Sequence, residues 1–202
     1  MANRLKKMLT EEMVRLDPPL LSTPEEVIEY CGNILVENKK AKAGYVKEMI
    51  DSYQRFGPYM VMAPGLALPH ARPGGNVKEP CISFVKLKEP VCFHHPCNDP
   101  VWVVFALGGV SDDGHIELLQ DLSSLLAGER MIEKLAALNT YEELEKLLNT
   151  IIQKKSLHEY GMTEAQIDEF TDSVIENQQR LLVNNFVYLD RDRIRKIYTE
   201  LF

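Results

Sequence analysis

The sequence lacks the basic character of a nucleic-acid-binding protein. It has 23 Lys and Arg residues against 30 Asp and Glu residues, and its formal net charge is −7. Affinity for a phosphate backbone depends on clustered Lys and Arg side chains. Nucleic acid is therefore not expected as a ligand. The four cysteines form no Cys-x-x-Cys pair, so nothing in the sequence indicates a disulfide framework.

Long apolar runs are also missing. The longest one, from Val101 to Val110, has about half the length that a helix needs to cross a bilayer. The N-terminal residues, MANRLKKMLTEEM, are too polar for a signal peptide. We therefore expect a cytosolic protein. With 202 residues, 45% of them hydrophobic, the chain is long enough for one globular domain and an appendage.

Strand and helix patterns alternate along the first three quarters of the chain. A capping box begins a helix at Thr23, and Val101 to Leu107 is a continuous apolar run that predicts a central strand. The other predicted helices are 44–55, 115–126, 131–138 and one from Thr140 to about Gln153, and the other predicted strands are 59–62, 66–70, 81–87 and 90–93. Several links between strands are too short for crossovers. The pattern predicts an α/β fold with a mixed sheet.

The composition changes after Ile152, where a polar segment resembles a linker. Two further helices are predicted, from Thr163 to about Leu182 and from Asp190 to Leu201. We therefore divide the chain into a domain at 1–152 and a helical C-terminal extension at 153–202. The extension is expected to pack on the domain or on a second subunit, which would form a homodimer, or to dock a specific partner.

One histidine lies in an unusually constrained segment, GLALPHARPGG at Gly65–Gly75. Pro69 and Pro73 each force the preceding residue out of the helical region, so the segment is extended. Residues two apart in an extended chain share a face, which places His70 and Arg72 together. A neutral imidazole can attack phosphorus, and Arg72 would then bind the phosphoryl group. The alternative is a turn histidine that donates to a carbonyl beside a solvated arginine.

His115 is the second candidate. It follows a glycine where a helix begins, just beyond the apolar strand. Ligands of open α/β sheets gather at the carboxyl ends of strands, and helix N-termini favour anions. His115 could bind a phosphoryl oxygen or hold His70 in one tautomer. The alternative is an exposed histidine in the first turn.

The run GPYMVMAPGLALPHARP at 57–73 resembles the active-site segment of enzyme IIA of the sugar phosphotransferase system. The type is the mannitol/fructose one (type 2), and the L-ascorbate IIA subgroup is the most similar. Weaker similarity lies in Tyr45-Val46-x-x-Met49, in Asn98-Asp99-Pro100-Val101 and in Gly114-His115. The resemblance covers about residues 5–150.

The resemblance implies both a fold and a chemistry. The family fold is a mixed sheet with helices on both faces, and it agrees with the predicted elements. The family takes a phosphoryl group from the phosphocarrier protein HPr onto a histidine, which corresponds to His70. It passes the group to a IIB component, which uses a cysteine, and a membrane IIC component depends on it indirectly. The assisting histidine corresponds to His115. No cofactor or metal is implied.

The chain departs from the mannitol type at one functional position. That type carries an arginine near the position of Ser52, which Arg72 or Arg55 would have to replace. The expected function is phosphotransfer during the uptake of a sugar, with L-ascorbate or a pentitol as candidates. The alternative is a regulatory module whose phosphorylated histidine signals to a transcription regulator.

A metal site is the other alternative. The run Cys92-Phe-His94-His95-Pro-Cys97 contains four potential ligands. Six contiguous residues do not easily enclose a tetrahedral zinc ion, and His94 and His95 point to opposite faces of an extended chain. Asn98 and Asp99 are expected to cap the turn before the strand through side-chain to backbone hydrogen bonds.

Overall fold

The computed structural model describes residues 2–150, 157–178 and 189–202. The chain forms two compact units, Met1–Ile151 and Ile152–Phe202. The predicted boundary between residues 152 and 153 falls in the segment 151–156, outside the described residues.

The first unit contains the sheet and most of the helices. Its helices are α1 (Ala2–Met8), α2 (Pro24–Glu37), α3 (Ala43–Phe56), α4 (Asp112–Leu126), α5 (Met131–Ala136) and α6 (Tyr141–Thr150), with a 3₁₀ turn at Glu11–Met13. Its strands are β1 (Val14–Arg15), β2 (Val61–Ala63), β3 (Leu66–Ala67), β4 (Cys81–Val91) and β5 (Val101–Gly108).

The five strands form one mixed sheet in the order β1-β4-β5-β3-β2. β4 runs antiparallel to β5, while β3 runs parallel to β5 on its other side. Because β3 and β5 point the same way, the residues that follow them meet at one edge of the sheet. The predicted mixed α/β sheet is confirmed.

Strand β5 occupies the centre of the sheet, as its continuous apolar sequence predicts. Every residue of β5 except Trp102 is buried. Alternate side chains of β5 enter two hydrophobic cores, so Val104 packs toward α2 and α3, and Phe105 packs toward α1, α4, α5 and α6. Helices therefore flank both faces of the sheet, as the resemblance implies.

Several predicted boundaries were wrong. The strand predicted at 90–93 belongs to the long β4, which continues through Pro90 to Val91 after a register shift, because an irregular edge tolerates a proline. The strand predicted at 66–70 ends at Ala67, since the backbone of the next residues bonds elsewhere. Helix α4 begins at Asp112 rather than near His115, because Ser111 is its N-cap and accepts from Gly114 N–H at 3.1 Å.

The second unit contains α7 (Gln166–Asn177) and α8 (Arg191–Leu201). Oppositely charged side chains join the two helices: Arg191 Nε lies 2.6 Å from Asp172 Oδ1, and Arg195 Nε lies 2.8 Å from Asp168 Oδ1. Helix α7 ends at Asn177, and the predicted continuation to Leu182 lies outside the described residues, as does the predicted end of α6 near Gln153. In the described part of the chain, no helix has the length and apolar character to cross a membrane.

Candidate active site

The backbone around His70 is fixed at the edge where β3 and β5 end. Leu68 N–H donates to Met60 O at 2.8 Å, and Pro69 O accepts from Leu107 N–H at 2.9 Å. The backbone nitrogens of Pro69 and Pro73 cannot donate hydrogen bonds, and each proline keeps the residue before it extended. His70 is therefore presented by a chain segment that is bonded on both sides.

The imidazole of His70 is half-buried and has a defined tautomer. Its Nδ1 lies 2.7 Å from the carbonyl oxygen of Leu68. A carbonyl can only accept, so in the neutral ring Nδ1 carries the proton and Nε2 keeps its lone pair. The alternative interpretation, in which His70 is a turn histidine, also predicted that its ring donates a hydrogen bond to a carbonyl. Here that bond leaves Nε2 as the nitrogen that can act as a nucleophile.

The structure brings the two predicted histidines together. His115 is the fourth residue of α4, and its ring centroid lies 5.1 Å from that of His70, with 41° between the ring planes. The chain reaches this arrangement through Gly109, which is buried against the first turn of α4. A Cβ on Gly109 would lie 2.8 Å from Cβ of His115 and 3.0 Å from its Cα. The site therefore needs glycine at this position.

Replacing Gly109 with alanine is expected to lower by about tenfold the rate of the phosphotransfer that the resemblance implies for His70, since a displacement near 1 Å at a reacting group has effects of that order or larger. The new methyl group must push the first turn of α4, and His115 with it, away from His70. Steady-state kinetics measures the change. Gly75→Ala is the matched control, because a Cβ there meets nothing within 4 Å. A wild-type rate in Gly109→Ala would contradict the packing argument.

The buried side chain of Tyr45 links the segment after His70 to strand β5, which precedes His115. Its buried hydroxyl donates to Leu107 O at 2.5 Å and accepts from Ala71 N–H at 3.2 Å. Burial raises the pKa of Tyr45, so the hydroxyl stays protonated. Sequence analysis named Tyr45 only as part of a weak family resemblance and missed this polar role. The link joins residue 71, next to His70, to the strand that leads to His115.

Tyr59 contacts His70 directly, and sequence reasoning missed this as well. The Tyr59 hydroxyl donates to the carbonyl oxygen of His70 at 2.6 Å. The two rings meet edge to face, with centroids 5.2 Å apart and 82° between their planes. Burial raises the pKa of Tyr59, so this hydroxyl stays protonated. Ser52, near the position where the mannitol type carries an arginine, brings no charge to the site.

The two arginines considered as replacements have different surroundings. The Arg72 side chain is exposed, and among the residues that the structure describes it has no hydrogen bond or ion pair. The guanidinium carbon of Arg55 lies 5.0 Å from the ring centroid of Phe56. The role of Arg72 as a phosphoryl-binding residue stays a prediction.

Exposed apolar side chains surround the histidine pair. Phe56 is 58% exposed and meets Tyr59 edge to face at 6.2 Å. Val110 is 45% exposed and Ile116 is 52% exposed, and both are close to His115 in the chain. Exposed apolar groups beside a reactive centre are typical of surfaces that contact another protein.

The loop with two cysteines and two histidines is organised by Asp99, as predicted for a capping residue. The Asp99 carboxylate accepts from Phe93 N–H at 2.9 Å and from His95 N–H at 2.7 Å, and the Cys92 thiol lies 3.2 Å from it. His95 Nδ1 accepts from Asn98 N–H at 2.9 Å. Among the described residues, no group of three or more His, Cys, Asp and Glu side chains is placed to hold a metal ion.

Asp99→Ala is expected to lower the free energy of unfolding by about 2 kcal/mol at pH 7, because it leaves two backbone N–H groups unpaired. Burial opposes ionisation of Asp99, but the hydrogen bonds from Phe93, Cys92 and His95 outweigh it and lower the pKa of Asp99. The ionised carboxylate therefore stabilises the fold above about pH 4, and this contribution is lost as the pH falls through the folded-state pKa.

Urea denaturation at pH 7 and pH 3 measures this effect. The difference between wild type and Asp99→Ala should shrink at the lower pH. Glu89→Ala, which alters an exposed carboxylate, is the control. A destabilisation that is the same at both pH values would show that the charge of Asp99 has no part in it.

A comparison with known families decides the chain's identity. The model of the phosphoenolpyruvate-dependent sugar phosphotransferase system, EIIA 2, matches residues 7–151. The chain belongs to this family. It is therefore a IIA component of the sugar phosphotransferase system, a phosphotransferase that works through a histidine.

Curated relatives of this IIA chain are ascorbate-specific. The ascorbate-specific EIIA component of Escherichia coli K12 is 34% identical over 128 residues, which cover 63% of this chain and 83% of the relative. The ascorbate-specific EIIA component of Salmonella typhimurium LT2 is 33% identical over 129 residues, which cover 63% and 84%. These relatives agree with the subgroup that the motif at 57–73 indicated.

Solved structures share the fold of this IIA chain. The mannitol-specific cryptic enzyme IIA CmtB of Escherichia coli has a TM-score of 0.62 and 29% identity, over 72% of this chain and 97% of CmtB. The Escherichia coli mannitol IIA protein, solved in complex with phosphorylated mannitol IIB, has a TM-score of 0.62 and 25% identity, over 70% and 96% of the two chains.

A second family model overlaps the first. The C-terminal model of the Fe-containing alcohol dehydrogenase family matches residues 106–202, which is less than half of the chain. The side chains in the described part of this segment offer no group of three metal ligands. The residues described here therefore do not fit an iron site.

Proposed function

We propose that this IIA chain accepts a phosphoryl group from HPr on Nε2 of His70 and passes it to a IIB component. The observation that supports this assignment most strongly is the bond of 2.7 Å between Nδ1 of His70 and Leu68 O. That bond holds the proton on Nδ1 and leaves Nε2 with the lone pair that an attack on phosphorus needs.

The proposed transfer involves one bond formed and one broken. The lone pair of Nε2 forms a bond to phosphorus while the bond between phosphorus and the donor atom breaks, and its electron pair stays with the donor. The product carries about two negative charges, as other phosphorylated residues do. In this proposal His115, with its ring centroid 5.1 Å away, hydrogen-bonds a phosphoryl oxygen, and the N-terminus of α4 favours the same charge. Arg72 is a further candidate for charge stabilisation.

Transfer to a protein acceptor requires a surface that docks proteins. The exposed Phe56, Val110 and Ile116 supply apolar area around His70. The complex of mannitol IIA with phosphorylated mannitol IIB, in a relative with 25% identity, supports a IIB partner for this chain. The family match over residues 7–151 supports assigning the transfer to a domain at 1–152, with 153–202 as a helical extension.

The relatives support a proposal for the sugar. Because the ascorbate-specific EIIA components are 34% and 33% identical to this chain, we propose L-ascorbate as the substrate of the system that it serves. The IIA chain itself binds no sugar in this scheme. Its specificity lies in the IIB surface that it recognises.

Incubation with phosphoenolpyruvate, enzyme I and HPr tests the proposal. We expect one phosphoryl group per chain, labile in acid and stable in base, followed by transfer to an ascorbate-type IIB faster than to a mannitol-type IIB. A chain that takes no phosphoryl group would refute the phosphotransfer proposal. A chain that accepts a phosphoryl group but passes it to neither IIB protein would favour the regulatory alternative.

A further inference from the structure

Tyr59 makes two contacts with His70 that no other described side chain combines. Its hydroxyl donates to the His70 carbonyl oxygen at 2.6 Å, and its ring meets the imidazole edge to face at 5.2 Å. The first contact fixes the peptide group that follows the histidine, and the second fixes one side of the ring. An edge-to-face pair contributes about 1 kcal/mol beyond its buried area, enough to favour one ring orientation.

We propose that Tyr59 is a positioning residue for His70, which keeps Nε2 on the open side of the site. The inference rests on the proposed role of His70 as phosphoryl acceptor. Tyr59 does not touch the reacting atoms in this scheme. It holds the backbone and ring of His70 in the geometry that the Nδ1 bond to Leu68 O requires.

The physical consequence of losing Tyr59 is a freer imidazole. The bond of 2.7 Å to Leu68 O joins residues only two apart, so it depends on the backbone angles between them. If Tyr59 releases the His70 carbonyl, this peptide group keeps only the bond from Ala71 N–H to Tyr45 among the described residues, the backbone at His70 can shift, and the distance from Nδ1 to Leu68 O is no longer fixed. The ring can then exchange its proton between Nδ1 and Nε2. Molecules with the proton on Nε2 cannot attack through that nitrogen.

Tyr59→Phe tests the proposal, with Tyr53→Phe as the matched control. Tyr53, on α3, donates to a carbonyl (Phe93 O, 3.1 Å) and meets the Phe93 ring edge to face at 5.9 Å, so it repeats the chemistry of Tyr59 away from His70. Phosphoryl acceptance from phosphorylated HPr gives kcat and KM. Long-range ¹H–¹⁵N NMR of the unphosphorylated protein gives the tautomer of His70.

Tyr59→Phe is expected to lower kcat about tenfold with little change in KM, and to shift the His70 tautomer toward Nε2–H. Tyr53→Phe should lose a similar amount of stability at unchanged kcat and tautomer.

Wild-type kcat and tautomer in a folded Tyr59→Phe protein would overturn the proposal. If Tyr59→Phe fails to fold, Tyr59→Leu decides, because it removes both contacts with His70, and wild-type values there would overturn the proposal equally. The NMR measurement needs no phosphoryl donor. A wild-type chain that accepts no phosphoryl group would therefore refute the proposed function while the tautomer still tests the positioning role.

Discussion

Replacing His70 with alanine is expected to abolish phosphorylation of the chain, reducing the yield of phosphohistidine by about a thousandfold or more, because the variant has no nucleophile at the site. Intact-protein mass spectrometry after incubation with phosphoenolpyruvate, enzyme I and HPr measures the loss. The fold should survive, since the His70 imidazole is only half-buried and its main partner, Leu68 O, can bind water instead.

His94→Ala is the matched control for this experiment. His94 is an exposed imidazole in the loop before β5, and its removal should leave one phosphoryl group per chain. Phosphorylation that persists at the wild-type level in His70→Ala would show that another residue is the acceptor. The pairing of His70 with His115 would then have no part in the chemistry.

Replacing His115 with alanine is expected to slow transfer to the IIB component by about a hundredfold while some phosphorylation by HPr persists. Removing one hydrogen-bond donor that stabilises developing charge has an effect of about that size in other enzymes. Here the donor would be the ring whose centroid lies 5.1 Å from His70. Rapid-quench kinetics with purified phosphorylated protein and IIB separates this step from loading.

The variant His115→Gln separates the loss of the hydrogen-bond donor from the loss of packing. Its amide can donate a hydrogen bond, so it should recover part of the rate that alanine loses. The side chain lies on the first turns of α4, where a glutamine fits the helix without strain. Transfer kinetics that do not differ between His115→Ala and wild type would remove His115 from the mechanism.

The sequence predicted the parts of the site that depend on local rules. Two prolines predict an extended frame around His70, and a continuous apolar run predicts the central strand that ends beside it. The sequence predicted a helix that begins near His115, although Ser111 caps it and the helix begins at Asp112, so that His115 lies one turn inside it. These features follow from residues adjacent in the chain.

The parts that sequence reasoning missed depend on contacts between distant residues. Tyr59 and Tyr45 are 11 and 26 residues from their partners His70 and Ala71, and nothing in their local patterns distinguishes a hydroxyl that bonds a loop from one that faces water. The two-residue strand β1 was missed because its length carries no periodicity. The prediction ended strand β4 at residue 87, because a proline such as Pro90 usually marks the boundary of a strand.

Long-range ¹H–¹⁵N NMR of the phosphorylated chain tests the proposed function most directly, because coupling to phosphorus identifies the nitrogen that carries the group. The contact between Nδ1 and Leu68 O predicts phosphorus on Nε2 of His70, with Nδ1 still protonated. Phosphorus bonded to Nδ1 of His70, or to any other residue, would contradict it.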